Sequence, residues 1–135
     1  MSSSLAASLQ AVLAADATLL AAAPGGVWVD PAPDGVAQPF VVLEQTFGAD
    51  AGYGGGGRYS TVTYEVRVVA PASQVATVRT AAARIDALLH DARPTLTGFR
   101  VLGCRRTAPV DVVLEETTGR WVQVGGEYTV MVESA

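Results

Sequence analysis

The stretch YSTVTYEVRVVA, residues 59–70, constrains the fold more than any other part of the sequence. Apolar and polar side chains alternate along it, and a period of two residues is typical of a β-strand with one buried face. A strand of this kind needs partner strands and a second layer that covers its apolar face. The predicted buried face carries Val62, Tyr64, Val66 and Val68, and the opposite face carries Thr61, Thr63, Glu65 and Arg67.

A second strand is predicted immediately upstream, in PFVVLEQTF. It begins after Pro39 and covers residues 40–47, which are rich in β-branched and aromatic side chains. Between the two strands lies AGYGGGGRYS, residues 51–60, with four consecutive glycines. The two strands and this loop predict a long β-hairpin.

The glycine-rich loop lacks the context of a phosphate-binding loop. Such a loop leads into a helix and uses a lysine, whereas this one leads into a strand and the sequence contains no lysine. Four glycines have large conformational freedom, which suits a surface tip that becomes ordered against a partner. We therefore predict that Tyr53 and Arg58 contact a partner protein.

Two amphipathic helices are predicted to cover the sheet. The first spans about residues 5–22, with Ser4 as its N-cap, and ends at Pro24-Gly25-Gly26. The second follows Ser73 as its cap and ends before Pro94. Its apolar stripe consists of Val75, Val78, Ala82, Ile85 and Leu89.

The remaining segments predict short strands and irregular connections. Residues 27–29 are consistent with a short strand, and residues 98–106 predict a longer one. A turn-rich connection is expected over residues 109–119, followed by one long strand or two, broken or bulged at Gly125-Gly126. We predict an α+β fold in which a mainly antiparallel sheet of about four strands, including the long hairpin, packs against two helices.

Length and composition limit the class of protein. A chain of 135 residues fits one domain, residues 1–135. The net charge of −4 argues against general nucleic-acid binding, because such binding depends on neutralising phosphates. Cys104 is the single cysteine and cannot form an internal disulfide. The N-terminus lacks the basic region of a signal peptide, and no membrane span is predicted.

No combination of residues in the sequence predicts an active site. His90 is the single histidine, and a metal site would need further nitrogen or sulfur ligands. Glu115 and Glu116 are adjacent, so on a strand they would point to opposite faces and could not act as an acid–base pair. We expect no enzymatic activity and no cofactor. Sheet edges, a long hairpin and an irregular loop instead suit assembly with neighbouring proteins.

The order of these segments resembles that of the tail terminator, or tail completion, proteins of bacteriophages and gene transfer agents. The resemblance covers the helix SLAASLQAVLAADATLLAAA, the strands QPFVVLEQT and TVTYEVRVVA, the helix SQVATVRTAAARIDALLH and the closing DVVLEETTGRWVQVGGEYTVMVES. It implies a virion protein, assembled in the host cytoplasm, that forms a ring of usually six subunits at the head-proximal end of the tail tube.

The resemblance also implies the partners of that ring. They are further copies of the chain, the tail tube protein and the head–tail connector, with DNA passing through the lumen without specific binding. Besides Tyr53 and Arg58, we expect partner contacts at Glu115, Glu116 and Arg120. The alternatives are another neck or tail component, such as a head-closure or tail-tube protein, and an α+β enzyme or small-ligand domain.

Deletion of residues 52–57 tests the role assigned to the hairpin tip. We expect the fold to remain intact, because a glycine-rich tip contributes little to a hydrophobic core, and docking to the tail tube to weaken. Circular dichroism checks the fold, and a tail-capping assay checks the function. Normal capping by the deletion variant would show that the tip does not contact the partner.

Overall fold

A computed structural model of the chain describes residues 2–52, 58–117 and 119–134. The elements follow in the order α1 (Ser2–Ala14), α2 (Ala17–Ala22), β1 (Val27–Val29), β2 (Phe40–Gly52), β3 (Arg58–Pro71), a short 3₁₀ turn (Ala72–Gln74), α3 (Val75–Leu89), β4 (Phe99–Glu116) and β5 (Gly119–Ser134).

The strands form one sheet in the order β1-β2-β3-β5-β4. The predicted β2–β3 hairpin is confirmed, and the sheet is antiparallel except that β1 runs parallel to β2. The α+β class is therefore correct, but the expected count of about four strands is too low. The predicted short strand at residues 27–29 exists and joins the sheet as its fifth member.

The predicted buried face of β3 forms the centre of the core. Tyr64 and Val66 are each 1% exposed, and Val68 is fully buried. Tyr128 lies beside Tyr64 on β5, and its hydroxyl donates to Asp86 Oδ1 at 3.0 Å. Helices α1 and α3 pack against this face, so one apolar cluster joins the two layers.

The N-terminal helix is split in two, contrary to the prediction of one helix over residues 5–22. Helix α1 ends at Ala14, and Asp16 is the N-cap of α2, with its Oδ2 accepting from the Leu19 N–H at 2.8 Å. Arg84 of α3 donates to both carboxylate oxygens of Asp16, each at 2.8 Å. This long-range ion pair holds Asp16 in the capping position and so favours a break in the helix at this residue. Ser4 lies inside α1, so its assignment as the N-cap is wrong.

Helix α3 has the predicted apolar stripe but different ends. Val78, Ile85 and Leu89 are buried, whereas Val75 and Ala82 pack at the margin of the core. Ser73 lies in the 3₁₀ turn and does not cap the helix. The helix stops at Leu89, before the predicted end near Pro94, because His90 turns into an extended conformation.

The C-terminal half differs most from the sequence prediction. The strand predicted over residues 98–106 continues to Glu116, so most of the predicted turn-rich connection is strand. Pro109 lies inside β4, where it is tolerated because β4 is the last strand of the sheet. Strand β5 pairs continuously through Gly125 and Gly126, so the expected break there is also wrong.

Gly125 and Gly126 permit close packing instead of interrupting the strand. A Cβ atom on Gly125 would lie 1.8 Å from the backbone oxygen of Val66 on β3. A Cβ atom on Gly126 would lie 2.6 Å from Cδ of Arg106 on β4. The two glycines therefore let β5 fit between its two neighbours.

Substitution of Gly125 tests this explanation. We expect Gly125→Ala to lower the free energy of unfolding by about 2–3 kcal/mol, because the methyl group meets a backbone atom that cannot rotate away. Gly103→Ala is the matched control, since Gly103 also lies in a strand and has open space around its Cβ position. Urea unfolding measures both variants, and equal stability would contradict the role of Gly125.

The Asp16–Arg84 pair predicts a pH dependence of stability. Hydrogen bonds from Arg84 and from the Leu19 N–H lower the pKa of Asp16 to about 2, although desolvation of the carboxylate partly opposes them. The pKa of an aspartate in an unfolded chain is roughly 3.9. The stabilisation is therefore complete above about pH 5 and is lost as the pH falls towards 2. Asp16→Asn keeps a capping side chain but loses this charge.

Urea unfolding at about five pH values between pH 3 and pH 7 compares the wild type with Asp16→Asn. The stability difference between wild type and Asp16→Asn should shrink as the pH falls. Asp34→Asn, at an exposed aspartate in the loop before β2, is the control and should show no such convergence. A constant difference for Asp16→Asn would contradict the ion-pair explanation.

Candidate assembly surface

The distal part of β4 is a free edge of the sheet, because β5 is its one neighbour there and β5 is in turn paired with β3 as far as Trp121. We define the arm as residues 108–116 of β4 together with residues 119–120, the start of β5 that β3 does not reach. Val112 is 41% exposed, Val113 58% and Leu114 38%. Three consecutive apolar side chains, exposed on both faces of a strand, are a feature that protein interfaces use.

The arm also carries acidic side chains. At its tip, Arg120 Nε donates to Glu115 Oε1 at 2.9 Å, with both side chains exposed. Asp111 and Glu116 are exposed and have no ion-pair or hydrogen-bond partner for their carboxylates within the described part of the chain. Glu115, Glu116 and Arg120, which the sequence predicted as partner contacts, thus lie together at the end of the arm.

A cavity of about 440 Å³ opens at the other end of β4. It lies between β4, β5 and the segment that follows α3. Two β-bulges bracket it, because Leu102 and Thr107 have no partner in the β4–β5 register and both line the cavity. A bulge adds one residue and bends its strand, so the pair of bulges shapes this concave edge.

The cavity is lined by apolar side chains with charge at its rim. Leu102, Cys104 and Met131 contribute apolar surface. Arg93 and Arg105 are exposed lining residues, and among the described residues neither has an ion-pair or hydrogen-bond partner for its guanidinium. Asp91 also lines the cavity, with its Oδ2 at 3.3 Å from His90 Nε2.

The reactive side chains near the cavity serve the structure. Cys104 is buried, and burial raises the pKa of its thiol to about 12, so the nucleophilic thiolate is disfavoured. His90 Nδ1 accepts from the Arg106 backbone N–H at 3.0 Å and so ties β4 to the end of α3. Within the described ranges, no group of three acidic, histidine or cysteine side chains is placed to hold a metal ion.

A charge cluster lies on the sheet face that the helices leave open. Arg67 Nη1 donates to Glu65 at 2.7 Å and to Glu44 at 2.9 Å, and Asp30 lies 3.8 Å from Nη2. Asp30, directly after β1, therefore faces β3. The cluster joins three segments of the fold, the residue after β1 and strands β2 and β3.

The other edge of the sheet lies at β2. Strand β1 pairs only with residues 41–43, so the distal half of β2 has one neighbour, β3, and Phe47 there is 57% exposed. Tyr53 lies outside the described residues. Arg58 is the first residue of β3, and the structure describes only its backbone. The tip contacts predicted at these two residues stay predictions.

The apolar part of the arm lies in the segment for which the sequence predicts a turn-rich connection, because Pro109 and the turn residues near Gly119 indicate one. In the structure, strand β4 contains Val110, Val112, Val113 and Leu114. The β-branched character of the three valines was the available signal for a strand.

In the part of the chain that the structure describes, no helix is long and apolar enough to cross a membrane.

The sequence model of the family described as "Tail completion protein gp17" matches residues 7–132. No curated protein matches the sequence at a significant level. A solved structure from the "virion of native gene transfer agent (GTA) particle" is similar, with a TM-score of 0.78 and 23% identity, over 98% of this chain and 97% of that one.

A second solved structure, which carries no functional description, is less similar. It has a TM-score of 0.58 and 17% identity, over 96% of this chain and 95% of that chain. At these identities the two structures support only the fold of this chain. The match to the family model also bears on its function.

Proposed function

This chain belongs to the family of tail completion proteins gp17, and from that premise we propose that it forms a ring that caps the head-proximal end of a tail tube. As a family member it is a structural component of a virion tail. In the proposed role, the ring stops polymerisation of the tube and offers a docking face to the head connector. Its partners are further copies of the chain, the tail tube protein and the connector.

The observation that carries this proposal is the family match over residues 7–132, which includes four strands in full and all but the last two residues of β5. The surface of the chain agrees with a role in assembly. Its exposed apolar side chains concentrate at the arm and at the free part of β2, near the two edges of the sheet. A subunit of a closed ring needs two different surfaces that complement each other, one for each neighbour.

A structural role without catalysis is part of the proposal. The thiol of Cys104 is buried with a raised pKa, and His90 already accepts a backbone hydrogen bond. The net charge of −4 per subunit would let DNA pass through a ring without being held, because phosphates and an acidic surface repel each other. The residues proposed to contact partners are Tyr53, Arg58, Glu115, Glu116 and Arg120.

Assembly of tail tubes with and without this protein tests the proposed function. Purified tube protein is polymerised alone and in the presence of increasing amounts of the chain, and negative-stain images record tube length and tube ends. We expect the chain to add a ring at one end and to arrest elongation there. Light scattering of the chain alone checks for a particle of discrete size.

The alternatives give different outcomes in the same experiment. A tube subunit would form long polymers by itself, and a head-closure protein would leave tube length unchanged and bind capsid connectors instead. Tubes that elongate normally with the chain present in excess would contradict the capping role.

A further inference from the structure

We propose that the free edge of β4 in one subunit pairs with the free part of β2 in the next copy, so that the sheet continues from subunit to subunit around the ring. The proposal rests on the proposed function, since it names the surfaces through which a ring of this chain would close. The occupant of the β4 edge is a second copy of this chain.

Both edges are open over part of their length. Strand β1 pairs with residues 41–43 only, so the rest of β2 has β3 as its one neighbour among the described strands. On β4, the Arg106 N–H donates to His90 Nδ1, and the open part of the edge follows the second bulge. Pro109 offers no N–H there, but residues 110–116 do. Backbone groups on an open edge can be satisfied by an added strand.

The directions of the strands allow an antiparallel contact. Strand β2 is antiparallel to β3, β3 to β5, and β5 to β4. The strands β2 and β4 therefore run in opposite directions at the two sides of the sheet. When copies stand side by side with the same face outwards, β4 lies antiparallel to β2 of the next copy. This is the pairing that all the long strands of the sheet already use.

The exposed apolar side chains of the two edges lie on one face of the sheet. Phe47 is opposite Thr63 of β3, and Val112 is opposite Gln123 of β5, so both point to the face that the helices leave open. Leu114, two residues beyond Val112, shares that face. Phe47 and Val112 are each exposed in one copy, at 57% and 41%.

Pairing of the edges would bury these side chains against each other. Directly opposite residues of an antiparallel pair have Cβ atoms about 4.5–5.5 Å apart, and an aromatic ring also reaches the diagonal neighbour. With Phe47 opposite Val112 of the adjacent copy, the ring would contact Val112 and, diagonally, Leu114. All three side chains would leave water together, which favours the contact.

The offset between the two edges fits a closed ring. Through Gln123 and Val69, Val112 is level with Phe40 across the sheet. Phe47 lies six register positions further along β2, a distance of about 20 Å. From β2 to β2 of the next copy there are four strand spacings, or roughly 19 Å.

These two distances set the inclination of the strands. Subunits of a ring repeat without a rise along its axis, so the strands must lean to bring the two open segments to one level. An offset of about 20 Å over roughly 19 Å requires an inclination of about 45°, and closed sheets have inclinations of about 35–45°. The pairing therefore has the geometry of an ordinary closed sheet.

The contact can form only between copies. Strands β3 and β5 separate the two edges within one sheet. Each copy offers one β2 edge and one β4 edge, and since these surfaces differ, it can bind one neighbour on each side. Repetition of such a contact gives a ring when the rotation closes.

Disulfide formation tests the pairing in the full-length chain. Cys104→Ala removes the native thiol, and a single cysteine is then introduced by Phe47→Cys or by Val112→Cys. The two variants are mixed in equal amounts, with and without tube protein, and diamide oxidises adjacent thiol pairs by accepting two electrons and two protons. We expect the linked heterodimer to exceed either homodimer about tenfold, since side chains directly opposite each other come within disulfide reach.

A chain with both cysteines gives a second readout. Phe47 and Val112 lie on opposite sides of β3 and β5, so one subunit cannot form a disulfide between these two positions. Oxidation should give a ladder of linked bands that ends at one closed ring. Homodimers of Val112→Cys as the main product would show that two β4 edges meet, and would overturn the proposal.

Val113→Cys is the matched control for Val112→Cys. Val113 is the next residue of β4 and is more exposed, at 58%, but it points to the helix side of the sheet. Its mixture with Phe47→Cys should give about a tenth of the heterodimer or less, because the two thiols lie on opposite faces. Equal yields from Val112→Cys and Val113→Cys would contradict a pairing of strands.

Lysine substitution separates edge pairing from general apolar adhesion. Val112→Lys places on the edge a charge that opposes addition of a strand. Met131→Lys is the control, because Met131 lies on the same face with a similar exposure of 37%, but in β5 between two strands. Val112→Lys should raise the concentration at which rings half-assemble, in solution or on tube ends, about tenfold or more, and Met131→Lys by less than about twofold. Equal effects, with both variants folded by circular dichroism, would contradict the proposal.

The tube assay distinguishes failure of this inference from failure of the proposed function. If tubes are capped while Phe47→Cys and Val112→Cys form no heterodimer, the ring uses other surfaces and only this inference is wrong. If Val112→Cys is linked to tube protein and not to a second copy, the occupant is wrong. If the heterodimer forms but tubes elongate without limit, the contact stands and the capping role fails.

Discussion

The fold depends on β3, which pairs with β2 on one side and β5 on the other while burying one complete face. Tyr64, Val66 and Val68 on that face belong to one buried cluster with residues of α1, α3 and β5, so they join the two layers. The close approach of β5 at Gly125 depends on the same strand, because the Val66 backbone occupies the space that a side chain would need. The positions of the remaining elements depend on the pairing of β3 with β5.

The helical layer covers the centre of the sheet and leaves its ends open. Strand β4 has 18 residues and β5 has 16, whereas α3 has 15, and a helix advances less than half as far per residue as a strand. The distal part of β4 therefore extends beyond α3, and Val113, on the helix side there, is 58% exposed. Val112 and Leu114 point to the side of the sheet opposite the helices.

The sequence predicted the elements with an unbroken pattern and failed where the pattern changes. Strand β3 keeps one alternation from Val62 to Ala70, so both of its faces could be assigned. Strand β4 changes phase at each bulge. Val101 and Cys104 share the core side, and beyond the second bulge that side carries Asp111 and Val113. No single period of two residues runs through such a strand, so its length could not be inferred.

The break between α1 and α2 was missed for a different reason. Asp16 is compatible with the outer face of one long helix, and the break becomes favourable through Arg84, which is 68 residues away in sequence. The same limit applied to the candidate surface. Glu115, Glu116 and Arg120 could be selected from their position near a predicted loop, but the cavity combines residues from three separate segments, and local patterns carry no information about their meeting.

The bulge at Thr107 determines which side of the sheet each later residue of β4 faces. Because successive strand residues face opposite sides, removing one residue there would exchange the two sides of the arm, so that Val113 would take the place now held by its neighbours. Removal of two residues would leave the same side chains on each side of the arm. An insertion or deletion of one residue in this segment therefore changes which side chains reach the outer surface, whereas a change of two residues preserves them.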